Sequence, residues 1–194
     1  RTPCLVDIHL HLDGSLPIST VRRLARMKGV ALPQSDDSLR ALLSVPKGSR
    51  SLDTFLECFA FPCSLLQTRQ ALTIAARELL GHLKAQGLIY AEIRFAPQKS
   101  CDEGLTQRRA VEAVLEGMRS VDMPSGLLLV MMRGEGDMPE NRETVRLAEE
   151  YLGRGVVGVD LAGAESPYPT RNHAALFEEI RMRRIPMTVH AGEA

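Results

Sequence analysis

His9-Leu10-His11 stands near the start of the chain. In a strand, alternate residues point to the same side, so both imidazoles would project into one space while Leu10 packs behind them. Two neutral imidazoles at a strand end can begin a zinc or other transition-metal site; they can equally be two satisfied polar histidines. A second cluster, His190-Ala191-Gly192-Glu193, follows another apolar run. Gly192 permits a sharp turn. Glu193 falls just past it, where a carboxyl whose pKa is raised by burial could shuttle a proton. A third segment is Asp160-Leu161-Ala162-Gly163-Ala164-Glu165: either a plain strand-to-helix turn, or one where Gly163 brings a backbone N–H close to a ligand. Asp13-Gly14-Ser15 reads as a turn by composition, an Asx turn or helix cap, or a carboxylate set beside the histidines. In Tyr90-Ala91-Glu92-Ile93-Arg94 the two charges share one side of an apolar strand, which reads as scaffold electrostatics with other buried charges.

The elements that must position these residues follow from hydrophobic patterning. Leu5 to Leu12, Leu88 to Phe95, Gly126 to Met132, Val156 to Ala162 and Pro186 to Ala191 are near-continuous apolar runs, as in parallel strands covered on both faces. Helices are expected between them. One is N-capped by Ser19-Thr20 and stopped by Gly29, one runs from Thr68 to Gln86 with Gly87 as its stop, and others cover 106–119, 139–152 and 174–184. The order β-(several helices)-β-α-β-α-β-α-β points to an α/β fold, either an open doubly wound sheet or a β/α barrel. The segment from Ile18 to Gln86 is longer than a normal crossover, and its extra helices could cover one face as a lid.

The 194 residues carry 24 Lys+Arg and 24 Asp+Glu, for zero formal net charge. No basic surplus argues for nucleic acid, and no charge run argues for a membrane surface. Apolar runs such as Leu127 to Met132 are too short to span a bilayer. No export signal is visible, though the chain opens on Arg1 and not on methionine, so the native start is expected to lie upstream. Four cysteines without a C-x-x-C pair read as free thiols in a reducing cytoplasm; a Cys58–Cys63 disulfide is the alternative.

Taken together, DIHLHLDGSL at 7–16, YAEIRFAPQ at 90–98, VVGVDLAGAE at 156–165 and TVHAGEA at 188–194 resemble the adenosine deaminase family, in its order and at roughly its spacing. The resemblance implies a TIM-type (β/α)8 barrel with extra helices after the first strand, one domain over 1–194 that covers about the first five strands. It implies one Zn2+ per chain at the barrel mouth, with His9, His11 and His190 as ligands and Glu193 as the proton donor to purine N1. It implies His11, Asp13 and Gly163 as substrate contacts, Gly163 offering its N–H to purine N3 and Asp13 holding the ribose 5′-hydroxyl. Leu52, Phe55, Leu56 and Phe59 match the apolar helix that covers the nucleoside, although their spacing suits core packing as well.

The implied reaction is hydrolysis of adenosine to inosine and ammonia in cytoplasmic purine salvage, with a small purine nucleoside as partner and neither nucleic acid nor a membrane. Adenine deaminases carry Glu and Thr where this chain has Asp13 and Ser15, and the shorter carboxylate leaves room for ribose. Ala164 departs from the Asp often found in the family's DLAGDE. Alternatives are adenine deaminase, another purine amidohydrolase, or a non-catalytic nucleoside-binding relative. Cytidine-type deaminases are set aside because their C-x-x-C signature is missing. The family's remaining site residues, a further histidine and an aspartate pair that includes the last zinc ligand, are expected beyond Ala194. Residues 1–194 alone are accordingly expected to be inactive and prone to associate through an exposed strand edge.

Overall fold

The computed structural model of the chain describes residues 4–135 and 138–193. The ends of the expected 1–194 domain, and the last residue of the 188–194 segment, lie outside the described residues. Five strands, β1 (Leu5–His11), β2 (Leu88–Phe95), β3 (Ser125–Met132), β4 (Val156–Ala162) and β5 (Met187–Val189), form one parallel sheet in the order β1-β2-β3-β4-β5. Spatial order equal to sequence order decides between the two architectures left open above. A doubly wound sheet reverses its strand order, whereas a singly wound one keeps turning one way and curls. The result is a half-barrel, part of a (β/α)8 barrel.

The first crossover carries α1 (Ile18–Lys28), α2 (Asp36–Leu43), α3 (Leu52–Glu57), α4 (Ala60–Leu65) and α5 (Arg69–Ala85). Later crossovers carry α6 (Gln107–Arg119), α7 (Pro139–Tyr151) and α8 (Ala174–Met182). Local chemistry sets their starts. The Thr68 hydroxyl accepts the Ala71 N–H at 3.1 Å, the Thr106 hydroxyl accepts the Arg109 N–H at 3.3 Å, and α7 begins on Pro139. The Ser19-Thr20 cap expected for α1 is not used. The helix starts at Ile18 after Pro17, and buried Thr20 instead donates to Glu78 at 2.8 Å. Gly29 and Gly87 end α1 and α5 with φ of 74° and 94°. All four cysteines are free, so the alternative of a Cys58–Cys63 bridge is discarded.

Alternation along the strands divides the interior. Leu127, Leu129 and Met131 of β3, with Ile93, Val159 and Leu161, join the core under α5, α6 and α7. Val130, Met132, Ala96 and Ala162 form a small separate cluster on the concave side. The sheet leaves apolar residues open at both ends: Leu5, Val6 and Ile8 of β1 and Met187 of β5 are exposed.

Helices α5 and α6 meet closely at Gly117, where an added Cβ would lie 2.3 Å from the Thr73 carbonyl oxygen and 3.0 Å from the Ala76 Cβ. Gly117→Ala gains about 1 kcal/mol in helix propensity, but backbone cannot retreat as a flexible side chain can. Overpacking of about 1–3 kcal/mol therefore prevails, and Tm is expected to fall by roughly 2–8 °C for a domain of this size in a thermal melt.

Candidate metal centre and purine cavity

His9 and His11 project from the end of β1, and His190 follows β5. Their arrangement depends on a local irregularity. Asp7 pairs with Ala91 and Leu10 with Ile93, so β1 spends one extra residue there, a bulge that re-aims side chains. Within it the His9 N–H bonds to the Asp7 carboxylate at 2.9 Å, and the Ile8 carbonyl accepts from Arg94 at 2.7 Å. Across the curl, the His190 N–H donates to the Leu161 carbonyl, placing it beside β4.

The three imidazoles converge. Nε2 of His190 lies 2.9 Å from Nε2 of His9 and 3.1 Å from Nε2 of His11. Zinc held about 2.0–2.1 Å from two imidazole nitrogens sets them roughly 2.9 Å apart at a right angle and roughly 3.4 Å apart at the tetrahedral angle. Both spacings to His190 fall in that range, all three ligand atoms lie within 4.8 Å of one another, and the donor set fits a transition metal. Among the described residues this is the one such group of three ligand side chains.

Charge supports the geometry. Burial, with help from His190 and Arg94, pushes the His11 pKa down to about 4, and burial lowers that of His9 as well. Both rings are therefore neutral, with lone pairs available. His190 differs, because its Nδ1 lies 2.9 Å from the Asp160 carboxylate, which raises its pKa. This contact fixes how the ring is turned. It turns Nε2 toward the other two rings, the usual part played by a carboxylate behind a metal-binding histidine.

Asp160 is fully buried. Burial alone would raise its pKa, but His190 and Arg94 together hold it below the ordinary carboxylate value. Arg94 donates to it at 2.9 Å, and Thr188 donates to its other oxygen at 2.9 Å. The charge seen in β2 thus finds its partner in β4, while Glu92 instead accepts from Tyr90 at 3.0 Å. Removing one member of a buried pair strands the other, at about 3–5 kcal/mol. Arg94→Met is expected to lose that much in a urea titration, an effect that a surface ion pair in this chain, such as Arg40–Asp37, would not give.

The histidines face a cavity of about 680 Å³ whose lining includes Asp13, Gly163 and Glu193, within the range of small-molecule sites. Phe55, Leu56 and Phe59 line it as well, with Phe59 edge-on to His11 at 5.9 Å between ring centroids. Leu52 begins the same helix but is not among the lining residues. The half-buried Asp13 accepts from the Cys63 thiol at 3.2 Å, while its enclosed Oδ1 has no hydrogen-bond partner among the described residues. Burial raises the pKa of Asp13 and of the Cys63 thiol alike.

Gly163 has φ of 113°, and a Cβ there would meet Met132 and the Arg133 backbone at 3.3–3.4 Å, so only glycine serves. Cys63, Thr188 and Arg133 were not singled out in the sequence. Arg133 could have been, since it is a charge at the end of the apolar run GLLLVMM, where functional residues of such folds gather.

A curled parallel half-barrel with a three-histidine cluster at its C-terminal mouth defines the class, a β/α barrel with a candidate metal centre. Residues 4–194 match the family described as adenosine deaminase, and the chain belongs to that family. It is 41% identical to an adenosine deaminase of Haemophilus ducreyi over 98% of this chain and 58% of that relative. Among solved structures, an Arabidopsis N6-mAMP deaminase aligns with TM-score 0.82 and 28% identity over 98% of this chain and 59% of the other. An amidohydrolase from Burkholderia ambifaria with bound Zn aligns with TM-score 0.80 and 22% identity over 97% and 52%, a likeness of fold. The chain thus spans a little over half the length of the relatives it matches. No helix among the described residues is long and apolar enough to cross a membrane.

Proposed function

We propose that this chain forms the metal-binding half of a zinc-dependent adenosine deaminase, which converts adenosine and deoxyadenosine to inosine or deoxyinosine and ammonia in cytoplasmic purine salvage. The observation that carries the reading is the convergence of three imidazole Nε2 atoms at the rim of a cavity also lined by Glu193, Gly163 and Asp13. His9, His11 and His190 would hold one zinc ion, which when bound supplies a water with pKa near 7.

The chain's own residues do the rest. Glu193 gives a proton to purine N1, which removes aromatic stabilisation and leaves C6 open to attack. The Gly163 N–H donates to purine N3, and His11 borders the same space. Asp13, with Oδ1 lacking a protein partner, accepts from the ribose 5′-hydroxyl. A buried acceptor left unpaired costs free energy that a substrate hydroxyl can relieve, which favours the nucleoside over free adenine. Leu52, Phe55, Leu56 and Phe59 form the apolar cover over the base and exclude water, with Phe55, Leu56 and Phe59 at the cavity wall.

The domain is proposed to run across the whole of residues 1–194 and onward. Because its relatives are longer, turnover is assigned to the longer protein and the 194-residue piece is proposed to be inactive. The test is ammonia release by the zinc-loaded full-length protein on adenosine, deoxyadenosine, adenine and N6-methyl-AMP. Turnover of adenosine well above the others supports the reading; preference for adenine or the nucleotide overturns its substrate part, and turnover of none overturns it altogether. Equal activity from residues 1–194 alone would reject the division of labour.

A further inference from the structure

We propose that Glu165 is a positioning residue for Glu193: its carboxylate anchors the turn after β5 that carries the proton donor, and Arg133 holds that anchor in place. This rests on the deaminase reading for its kinetic consequence, though not for its structural one.

The turn at 192–193 has little else to fix it. Gly192 sits at φ 81°, and nothing lies within 4 Å of where its Cβ would be, so packing does not brace that side. What does hold the turn is one oxygen. Glu165 Oε2 accepts from the Gly192 N–H at 2.7 Å and from the Glu193 N–H at 2.9 Å. Two successive N–H groups aimed at one anionic oxygen form a small cradle, and bonds to a charged acceptor are roughly twice as strong as neutral ones.

The carboxylate is itself tied down. Its Oε1 lies 3.8 Å from Nη2 of Arg133, whose side chain is entirely buried. The same Nη2 donates to the His190 carbonyl and to the Thr170 hydroxyl, while Nη1 donates to the Tyr168 carbonyl at 2.8 Å. Arg133 therefore grips the main chain at His190, and Glu165 grips it two and three residues later. A buried guanidinium with several fixed donors suits such a clamp better than a lysine would.

The loop that supplies this anchor also supplies Gly163, which lines the cavity. One segment, 160–165, thus reaches the site three ways: Asp160 behind the histidine, Gly163 on the cavity wall, and Glu165 beneath the acid. The ordering of a reacting group is kinetically costly to lose, since a displacement of about 1 Å can cost on the order of 100-fold in rate.

The experiment compares Glu165→Ala and Glu165→Gln in the zinc-loaded full-length protein, reading kcat, KM for adenosine, zinc content and amide hydrogen exchange at residues 192 and 193. Glu165→Ala is expected to lower kcat by about 10- to 100-fold, with KM and zinc content unchanged within about threefold and exchange at both amides faster by an order of magnitude. Glu165→Gln keeps a neutral acceptor oxygen and is expected between the two, with kcat down about 3- to 10-fold. Unchanged exchange at 192 and 193, or a kcat within threefold of the parent in Glu165→Ala, would overturn the proposal, as would loss of zinc in step with loss of rate. If Glu165→Ala does not fold, Glu165→Gln decides: parental exchange and kcat reject the anchor, and intermediate values support it. A parent protein that releases no ammonia would refute the deaminase reading while the exchange result still judges the anchor.

Discussion

His190→Ala is expected to leave the full-length protein essentially metal-free and without measurable turnover. Structural zinc sites bind with apparent free energies of about 10–16 kcal/mol, or roughly 3 kcal/mol for each of four ligands, so one lost ligand weakens binding by on the order of 100-fold. His190 loses more than its share. Its Nε2 is the atom that meets both of the others, at 2.9 and 3.1 Å, and it is the ligand backed by Asp160. The measurements are zinc content after dialysis against a weak chelator and ammonia release with adenosine. Full zinc retention in a folded His190→Ala protein would rule out His190 as a ligand. His82→Ala serves as the comparison, because that side chain is exposed on α5 and bonds to Gln86, one helical turn away.

The second large effect separates binding from chemistry. Glu193→Gln keeps the size of the side chain and removes its proton, and a positioned general acid contributes typically about 10²–10⁴-fold. A fall of that size in kcat is expected with zinc content unchanged and KM within a few-fold of the parent. The histidine cluster should keep all three ligand atoms, since Glu193 lies outside the group of converging nitrogens and reaches His9 and His190 only through its charge. A loss of less than tenfold would show that some other group delivers the proton.

Much of this architecture is legible in the sequence because local signals agree with the tertiary outcome. Near-continuous apolar runs place β2 at 88–95 and β4 at 156–162 with their observed bounds, and α5 is announced by the helical run from Thr68 and the Gly87 stop. Failures occur where something non-local intervenes. The Ser19-Thr20 cap yields to Pro17 because Thr20 is drawn inward to Glu78, 58 residues away. β5 is only Met187–Val189, shorter than its apolar run, since the chain leaves the sheet to turn into the site.

The site divides in the same way. Residue types and spacing bring out His9, His11 and His190, and the structure sets them together. The register slip that aims His9 leaves no mark in the pattern, since a bulge is a property of two paired strands. Arg94 shows itself as a charge in an apolar strand, yet its choice of Asp160 over nearby Glu92 depends on how far the sheet curls. Leu52 shares the helical spacing of Phe55 and Leu56 but stands back from the cavity wall: helical periodicity identifies a face and does not say how much of it lines a cavity.

The three histidines have a mechanical meaning beyond coordination. They join the first and fifth strands, 181 positions apart and separated within the sheet by three intervening strands. An ion held between them is a crossbar across an open arch, and Arg94 lies beneath it as a parallel tie from Ile8 to Asp160. Metal occupancy should then govern curvature as well as reactivity. Withdrawing the ion removes the strut between β1 and β5 and leaves Arg94, which ties β1 to β4, as the remaining brace beneath the histidines. Chelation would therefore be felt first as a change of shape at the mouth, before the sheet itself gives way.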